Sequence, residues 1–193
     1  MKLNALFLLG VIITSTSLSS SQSSHMQTTS YDLAEAYEVY AALLQGDWQG
    51  AEQKTVVIST TTKFWKACVN PATEKDSGLK TALEQYNSIN KDAWKLQAEF
   101  GFGRQFELIS LDEIKSIFRA GVGRGWEGFR KRYPDSAGFV ELSAVGFNED
   151  KSVAVVYIGY YCGGLCGSGG VKFMRKKDGR WLRMSDRCFE WVS

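Results

Sequence analysis

The chain has 193 residues, 44% of them apolar and 13% aromatic, which is enough to build one hydrophobic core of ordinary size. Its formal net charge is +2, and removal of an N-terminal segment that contains Lys2 would leave +1. A charge this small argues against nucleic acid or an anionic membrane surface as a partner.

The first residues have the pattern of a secretory signal peptide. Lys2 supplies the positive charge, an apolar run of about eight residues ends at Ile13, and residues 17–19 form a small-residue cleavage site. This run is too short for a transmembrane helix, which needs about 20 apolar residues. We therefore predict residues 1–24 as signal peptide and leader and residues 29–193 as a single domain. The mature protein is expected to be secreted or periplasmic, without a membrane span.

Two helices are predicted in the first half of the domain. The first has a capping-box-like start at Thr29 and Asp32 and one apolar stripe that ends before Gly46. The second has apolar residues at steps of three and four over residues 79–100, and Asn90 is a candidate cap at which this segment divides. Each helix therefore has one face suited to packing against a sheet.

Two shorter helices and two strands complete the N-terminal part. The helices are predicted over residues 111–119 and around Trp126 and Phe129, with an end at Tyr133-Pro134. The strands are predicted over residues 55–62 and 106–109, where β-branched and apolar residues cluster.

The C-terminal part has a periodicity of two, which is typical of strands. The five strand candidates are residues 139–147, 152–161, 171–176, 180–185 and 188–192. Asp178-Gly179 predicts a tight hairpin turn, since both central residues of that turn need a positive φ. We therefore predict an α+β fold with a C-terminal antiparallel meander of about five strands and the N-terminal helices packed on one face.

The four cysteines of the predicted domain point to disulfides. An even number of cysteines in an oxidising compartment favours pairing, and three connectivities are open. We favour Cys162 with Cys166, which would restrict the Gly-rich connection between two strands, and Cys68 with Cys188. Four thiolates on a zinc ion is the weaker alternative, because the spacing lacks the short pairs of zinc sites.

The C-terminal third resembles a family of exported bacterial proteins to which no activity is assigned. The resemblance rests on residues 142–148 (Leu-Ser-Ala-Val-Gly-Phe-Asn), residues 154–159 (Ala-Val-Val-Tyr-Ile-Gly) and residues 162–167, a Cys-Gly-x-Leu-Cys-Gly segment. It implies export and a stabilised sheet, and it implies no substrate.

Common hydrolytic mechanisms are excluded by the histidine content. The one histidine, His25, lies in the Ser-rich stretch ahead of the predicted domain, so the domain lacks a Ser/His/Asp or Cys/His nucleophile system. Paired carboxylates remain an alternative, because a small glycosidase needs two such groups about 5 to 10 Å apart. The candidates are Glu35, Glu38, Asp112, Glu113, Glu127 and Glu141. Glu141 alternates with apolar residues along a strand and is the one expected to be partly buried.

The function favoured by the sequence is a non-catalytic domain that binds a protein or a cell-envelope component, in the manner of an inhibitor loop. A disulfide-closed Gly-rich loop with aromatic neighbours would bind at a small cost in conformational entropy. No cofactor or metal is expected. The predicted binding residues are Tyr160, Tyr161, Gly163, Gly164, Leu165 and Gly167. The alternative is a small carboxylate-dependent hydrolase.

We predict that the mature protein contains no free thiol. Alkylation of the unreduced protein followed by intact-mass measurement should therefore show no added label, whereas alkylation after reduction and unfolding should label all four cysteines. Four labelled thiols in the unreduced sample would contradict the disulfide interpretation and favour the metal site.

Overall fold

The computed structural model of the protein describes residues 30–31, 33–46, 54–185, 188 and 190–193. The predicted signal peptide and leader and the predicted caps Thr29 and Asp32 lie outside the described residues. Within them, the helices are α1 (Ala34–Gln45), α2 (Ser77–Ile89), α3 (Leu111–Phe118) and α4 (Val122–Arg132), with a 3-10 turn at Pro71–Thr73. The strands are β1 (Ser30–Tyr31), β2 (Thr55–Ser59), β3 (Lys95–Leu96), β4 (Gln105–Ile109), β5 (Phe139–Leu142), β6 (Gly146–Phe147), β7 (Val153–Gly163), β8 (Cys166–Lys177), β9 (Arg180–Arg183) and β10 (Trp191–Val192).

Among the described residues, the main sheet has eight strands and is mixed. Its order is β10-β8-β7-β5-β2-β4, with β6 paired to β7 and β9 paired to β8. The C-terminal strands pair antiparallel as predicted, but β2 runs parallel to both β4 and β5. The α+β class is confirmed, whereas the prediction of a simple antiparallel meander is wrong. The reason is that β2 and β4, from the N-terminal half, extend the same sheet through crossover connections.

Helices cover both faces of the sheet, so the prediction of helices on a single face is also wrong. On the first face, α1 packs against Val156 and Ile158 of β7 and their neighbours. On the second face, α2 packs against the alternate residues Val155 and Tyr157, and α4 packs farther along, against Phe139 of β5. Strand β7 is buried on both faces over residues 153–160, which explains its nearly continuous apolar sequence.

Asn90 ends α2 and ties it to the sheet. Its side-chain amide donates to the carbonyl of Tyr86 at 2.9 Å and to the carbonyl of Ala144 at 3.0 Å, and its Oδ1 accepts from the Ala144 amide at 2.9 Å. The predicted helix over residues 79–100 therefore stops here, and its second half is not helical. Part of that half forms β3, which pairs with β1 in parallel.

The start of α2 is fixed by a second polar contact. Asp76 caps the helix by accepting from the Leu79 amide at 3.0 Å, and its other oxygen lies 2.6 Å from the Arg175 guanidinium of β8. The hydrogen bond from Leu79 and the interaction with Arg175 hold the pKa of the Asp76 carboxyl below its usual range. The helix is thus attached to the sheet at both ends.

The β7–β8 hairpin differs from the predicted Gly-rich loop. Strand β7 continues to Gly163 and β8 begins at Cys166, so only Gly164 and Leu165 form the turn. Most of the glycines therefore lie in a strand. The next turn is as predicted, since Asp178 and Gly179 have φ values of 50° and 75°.

Asn90→Ala is expected to lower the free energy of unfolding by about 1–3 kcal/mol, because it leaves the buried Ala144 amide without a partner and removes one of two donors from the carbonyls of Tyr86 and Ala144. The matched control is Asn87→Ala on the same helix, which should change stability by less than about 0.5 kcal/mol. Denaturant unfolding monitored by circular dichroism measures both variants. Equal stability of the two variants would contradict the role given to Asn90.

Candidate functional site

The predicted binding residues do not share one surface. Tyr160 points into the core under α1 and is 4% exposed, whereas Tyr161, the next residue along β7, points to the second face. Leu165 at the hairpin turn is 92% exposed. Gly167 is buried, and a Cβ atom there would lie 3.2 Å from the Trp191 ring. The exposed part of the predicted site is therefore the turn itself.

Two disulfides stabilise this region. Cys162–Cys166 closes the end of the β7–β8 hairpin, and Cys68–Cys188 joins two segments that are 120 residues apart in sequence. These are the pairs favoured from the sequence. No described residue belongs to a group of three or more histidine, cysteine, aspartate or glutamate side chains able to hold a metal ion.

The second disulfide anchors a chain segment over the second face of the sheet. We call residues 60–70 the crossing segment. The Lys63 amide donates to the Leu142 carbonyl at 2.8 Å, and the Trp65 carbonyl accepts from the Tyr86 hydroxyl at 2.6 Å. The segment is thereby attached to β5, to α2 and, through Cys68, to the C-terminal residues. Its side chains lie between the hydrophobic cluster that packs against α2 and the one that packs against α4.

A buried carboxylate lies beneath the crossing segment. Glu141 of β5 has a side chain that is only 12% exposed, and Lys63 Nζ lies 2.8 Å from its Oε2. No donor within the described residues is aligned for a hydrogen bond to this oxygen. The ammonium also lies over the Tyr161 ring, 5.6 Å from the centroid. Lys63 is therefore held by both a charge and a ring face.

Two tyrosine hydroxyls adjoin this ion pair. The hydroxyls of Tyr157 and Tyr161 lie 3.3 Å apart, and Trp191 Nε1 donates to the Tyr157 hydroxyl at 3.3 Å. Burial raises the pKa of Tyr161 far above its usual value, and the contact with Tyr157 and the charge of Glu141 raise it further. Burial likewise raises the pKa of Tyr157. Both hydroxyls are therefore neutral at physiological pH and act as hydrogen-bonding groups.

The room for these rings comes from two glycines. Glu141, Gly159, Gly169 and Trp191 lie opposite one another in a row across four neighbouring strands. A Cβ atom at Gly159 would lie 2.4 Å from the Tyr157 hydroxyl, and one at Gly169 would lie 2.7 Å from Trp191 Nε1. The rings of Tyr157 and Trp191 thus occupy the space that side chains would fill.

Two half-exposed aromatic rings form the outer surface of the cluster. We call Phe64 and Trp65 the aromatic platform; they are 46% and 43% exposed. The Trp65 ring stacks on Tyr157 with centroids 5.5 Å apart and an interplanar angle of 12°, and the Phe64 ring packs on Tyr86 at 5.8 Å. Each ring has a buried tyrosine on one side and is partly open to solvent, and the Trp65 ring also lies 6.4 Å from the Trp191 ring.

Sequence reasoning identified Glu141 but missed Lys63, Trp65 and Trp191. The crossing segment has no regular periodicity, so its side chains had no predicted direction. One signal was present: Tyr157 and Tyr161 are four residues apart on one strand, hence on one face, with Gly159 between them.

The other candidate carboxylates lie elsewhere. Glu35 and Glu38 belong to α1 on the first face, where they pair with Lys151 at 2.5 Å and Lys176 at 2.8 Å. Glu113 on α3 accepts from the Tyr133 hydroxyl at 2.8 Å, and Asp112 and Glu127 lie exposed on the surface of α3 and α4. The six candidates therefore occupy three separate parts of the molecule.

Two cavities lie on the first face, between α1 and β9. They have volumes of about 770 and 260 Å³ and share Ala42, Gly46, Trp181 and Leu182 in their walls. Glu38 lines the larger cavity, but its carboxylate is engaged by Lys176 and accepts from Trp181 Nε1 at 3.3 Å. This carboxylate is therefore directed at the β8–β9 hairpin.

Comparison with protein-family models, curated proteins and solved structures finds no match to this chain. The resemblance to exported bacterial proteins therefore stays a prediction. No helix among the described residues combines the length and the hydrophobicity that crossing a membrane requires.

Proposed function

We propose that this protein is an exported, non-catalytic domain that binds a protein or a cell-envelope component. The observation that carries the proposal is the aromatic platform: Trp65 is half exposed, yet it is stacked on the fully buried Tyr157 in a segment fixed by a disulfide. A ring that is already held in place loses little conformational entropy on binding, and aromatic rings often contribute most of the affinity of an interface.

The hairpin turn supports the same function. Leu165 is almost completely exposed, and Cys162–Cys166 restricts the two residues of the turn. The turn lies four residues beyond Tyr161, hence at most about 13 Å from the aromatic cluster along the strand. The turn is therefore a second candidate contact, and it is the exposed part of the site predicted from the sequence.

Export is supported by the covalent structure of the chain. The chain has two disulfides, one of them at an exposed turn. Disulfides persist in secreted and periplasmic proteins but are rare in reducing compartments. The signal-like pattern ahead of the domain agrees with this location.

A carboxylate-dependent hydrolase is the second candidate, and one observation favours it. Glu141 is a buried carboxylate that adjoins the Tyr157 and Tyr161 hydroxyls, and glycoside hydrolysis uses carboxyl groups of this kind. The mechanism needs a second carboxylate within about 10 Å, however, and the ionic partner of Glu141 is Lys63. We therefore favour the binding function.

We expect the mature protein to be retained by isolated cell envelopes or by a component of the culture fluid. Trp65→Ala should reduce the retained fraction about 10-fold or more, because removal of a central aromatic contact often costs more than 1.4 kcal/mol. Glu141→Gln should retain binding within about 3-fold, since Glu141 is buried and lies outside the aromatic platform. Co-sedimentation and affinity capture measure the three proteins side by side.

The double variant Cys162→Ser and Cys166→Ser should also weaken retention, because it loosens the turn. Failure of the native protein to be retained by any fraction would contradict the binding function. A hydrolytic activity that disappears in Glu141→Gln, with binding unaffected in Trp65→Ala, would establish the hydrolase in its place.

A further inference from the structure

We infer that the aromatic platform binds a saccharide, with a sugar ring stacked on the outer face of Trp65 and its hydroxyl groups bonded to Lys63. This inference rests on the proposed binding function and names its ligand class. The inner face of Trp65 is occupied by Tyr157, so the outer face is the one available to a ligand. The C–H groups on one side of a sugar ring carry partial positive charge and complement the negative face of an indole.

The platform is organised before a ligand arrives. The Trp65 carbonyl is fixed by the Tyr86 hydroxyl, the Lys63 amide is bonded to β5, and Cys68 is covalently joined to Cys188. The backbone on both sides of the two rings is therefore held in place. A weakly binding, highly solvated ligand such as a sugar needs this arrangement, because little affinity is available to order a loop.

The polar groups beside the platform match the rim of a sugar. The Lys63 side chain is 45% exposed, and Glu141 and the Tyr161 ring hold its ammonium group in position. An ammonium has three donors, so its contact with Glu141 leaves donors for sugar hydroxyl oxygens. A flat apolar face with a fixed donor at its edge complements a ring that is apolar on its faces and hydroxylated on its rim.

The size of the platform favours a small ligand over a protein surface. Taking a fully exposed aromatic side chain as about 150–250 Å², the open parts of Phe64 and Trp65 together amount to roughly 130–220 Å². A stable protein interface buries about 800 Å² on each partner. Two adjacent rings of this area suit one or two sugar units of a glycan chain.

Calorimetric titration of the native protein with soluble tetrasaccharides tests the inference, with chitotetraose, cellotetraose, maltotetraose and mannotetraose as probes. We expect at least one of them to bind with a Kd at or below about 1 mM. Trp65→Ala should weaken that binding about 10-fold or more, and Trp65→Phe should restore part of it. Leu182→Ser is the control, since this half-exposed side chain of β9 lies on the first face, away from the platform, and its replacement should leave saccharide binding unchanged. Near-UV circular dichroism verifies that each variant is folded.

Three results would overturn the saccharide assignment. They are no heat of binding with any probe at about 10 mM, equal binding by the native protein and Trp65→Ala, and capture of a protein partner through Trp65. If envelope retention still depends on Trp65 while no probe binds, the binding function stands and its ligand class is wrong. If retention fails as well, the proposed function itself is contradicted.

Discussion

The candidate site depends on one packing constraint, the two glycines that face each other in the longest strand pair. Gly159 of β7 lies opposite Gly169 of β8, with Glu141 and Trp191 on either side of them. Side chains at these two positions would occupy the volume of the Tyr157 hydroxyl and the Trp191 ring. Their absence lets both rings lie close to the sheet, and this places a flat, buried tyrosine under Trp65.

The same constraint explains why the second face carries the site. The α2 and α4 cores cover the two ends of this face, and the Tyr157–Tyr161 contact lies between them. The crossing segment fills this gap with aromatic rings and with an ion pair in which a half-exposed lysine neutralises a buried carboxylate. Its disulfide to the C-terminal residues keeps the rings in place without a helix or a strand of its own. The Trp65 ring is thus held in place and is also partly exposed to solvent.

Local signals predicted much of the fold. The helical stripes of α1, α3 and α4, the Asp178-Gly179 turn and the alternation of β5 and β7 depend on neighbouring residues and are visible in the sequence. The parallel pairing of β2 with β4 and β5 joins segments up to about 80 residues apart, and no local pattern encodes it. The glycines of β8 were interpreted as a loop because glycine usually marks flexibility, whereas here it provides room for rings from neighbouring strands. The platform escaped prediction because the crossing segment is irregular.

The most direct test of this account is the free energy of unfolding of Gly159→Ala, measured with its near-UV circular dichroism. At an open strand position alanine is more stable than glycine by about 0.5–1 kcal/mol. We expect the opposite here, a loss of about 1–3 kcal/mol with an altered aromatic spectrum, because the new methyl group must displace Tyr157. Gly101→Ala is the control, since nothing lies within 4 Å of the added carbon. A Gly159→Ala protein that is more stable than the native one and has an unchanged spectrum would contradict the account.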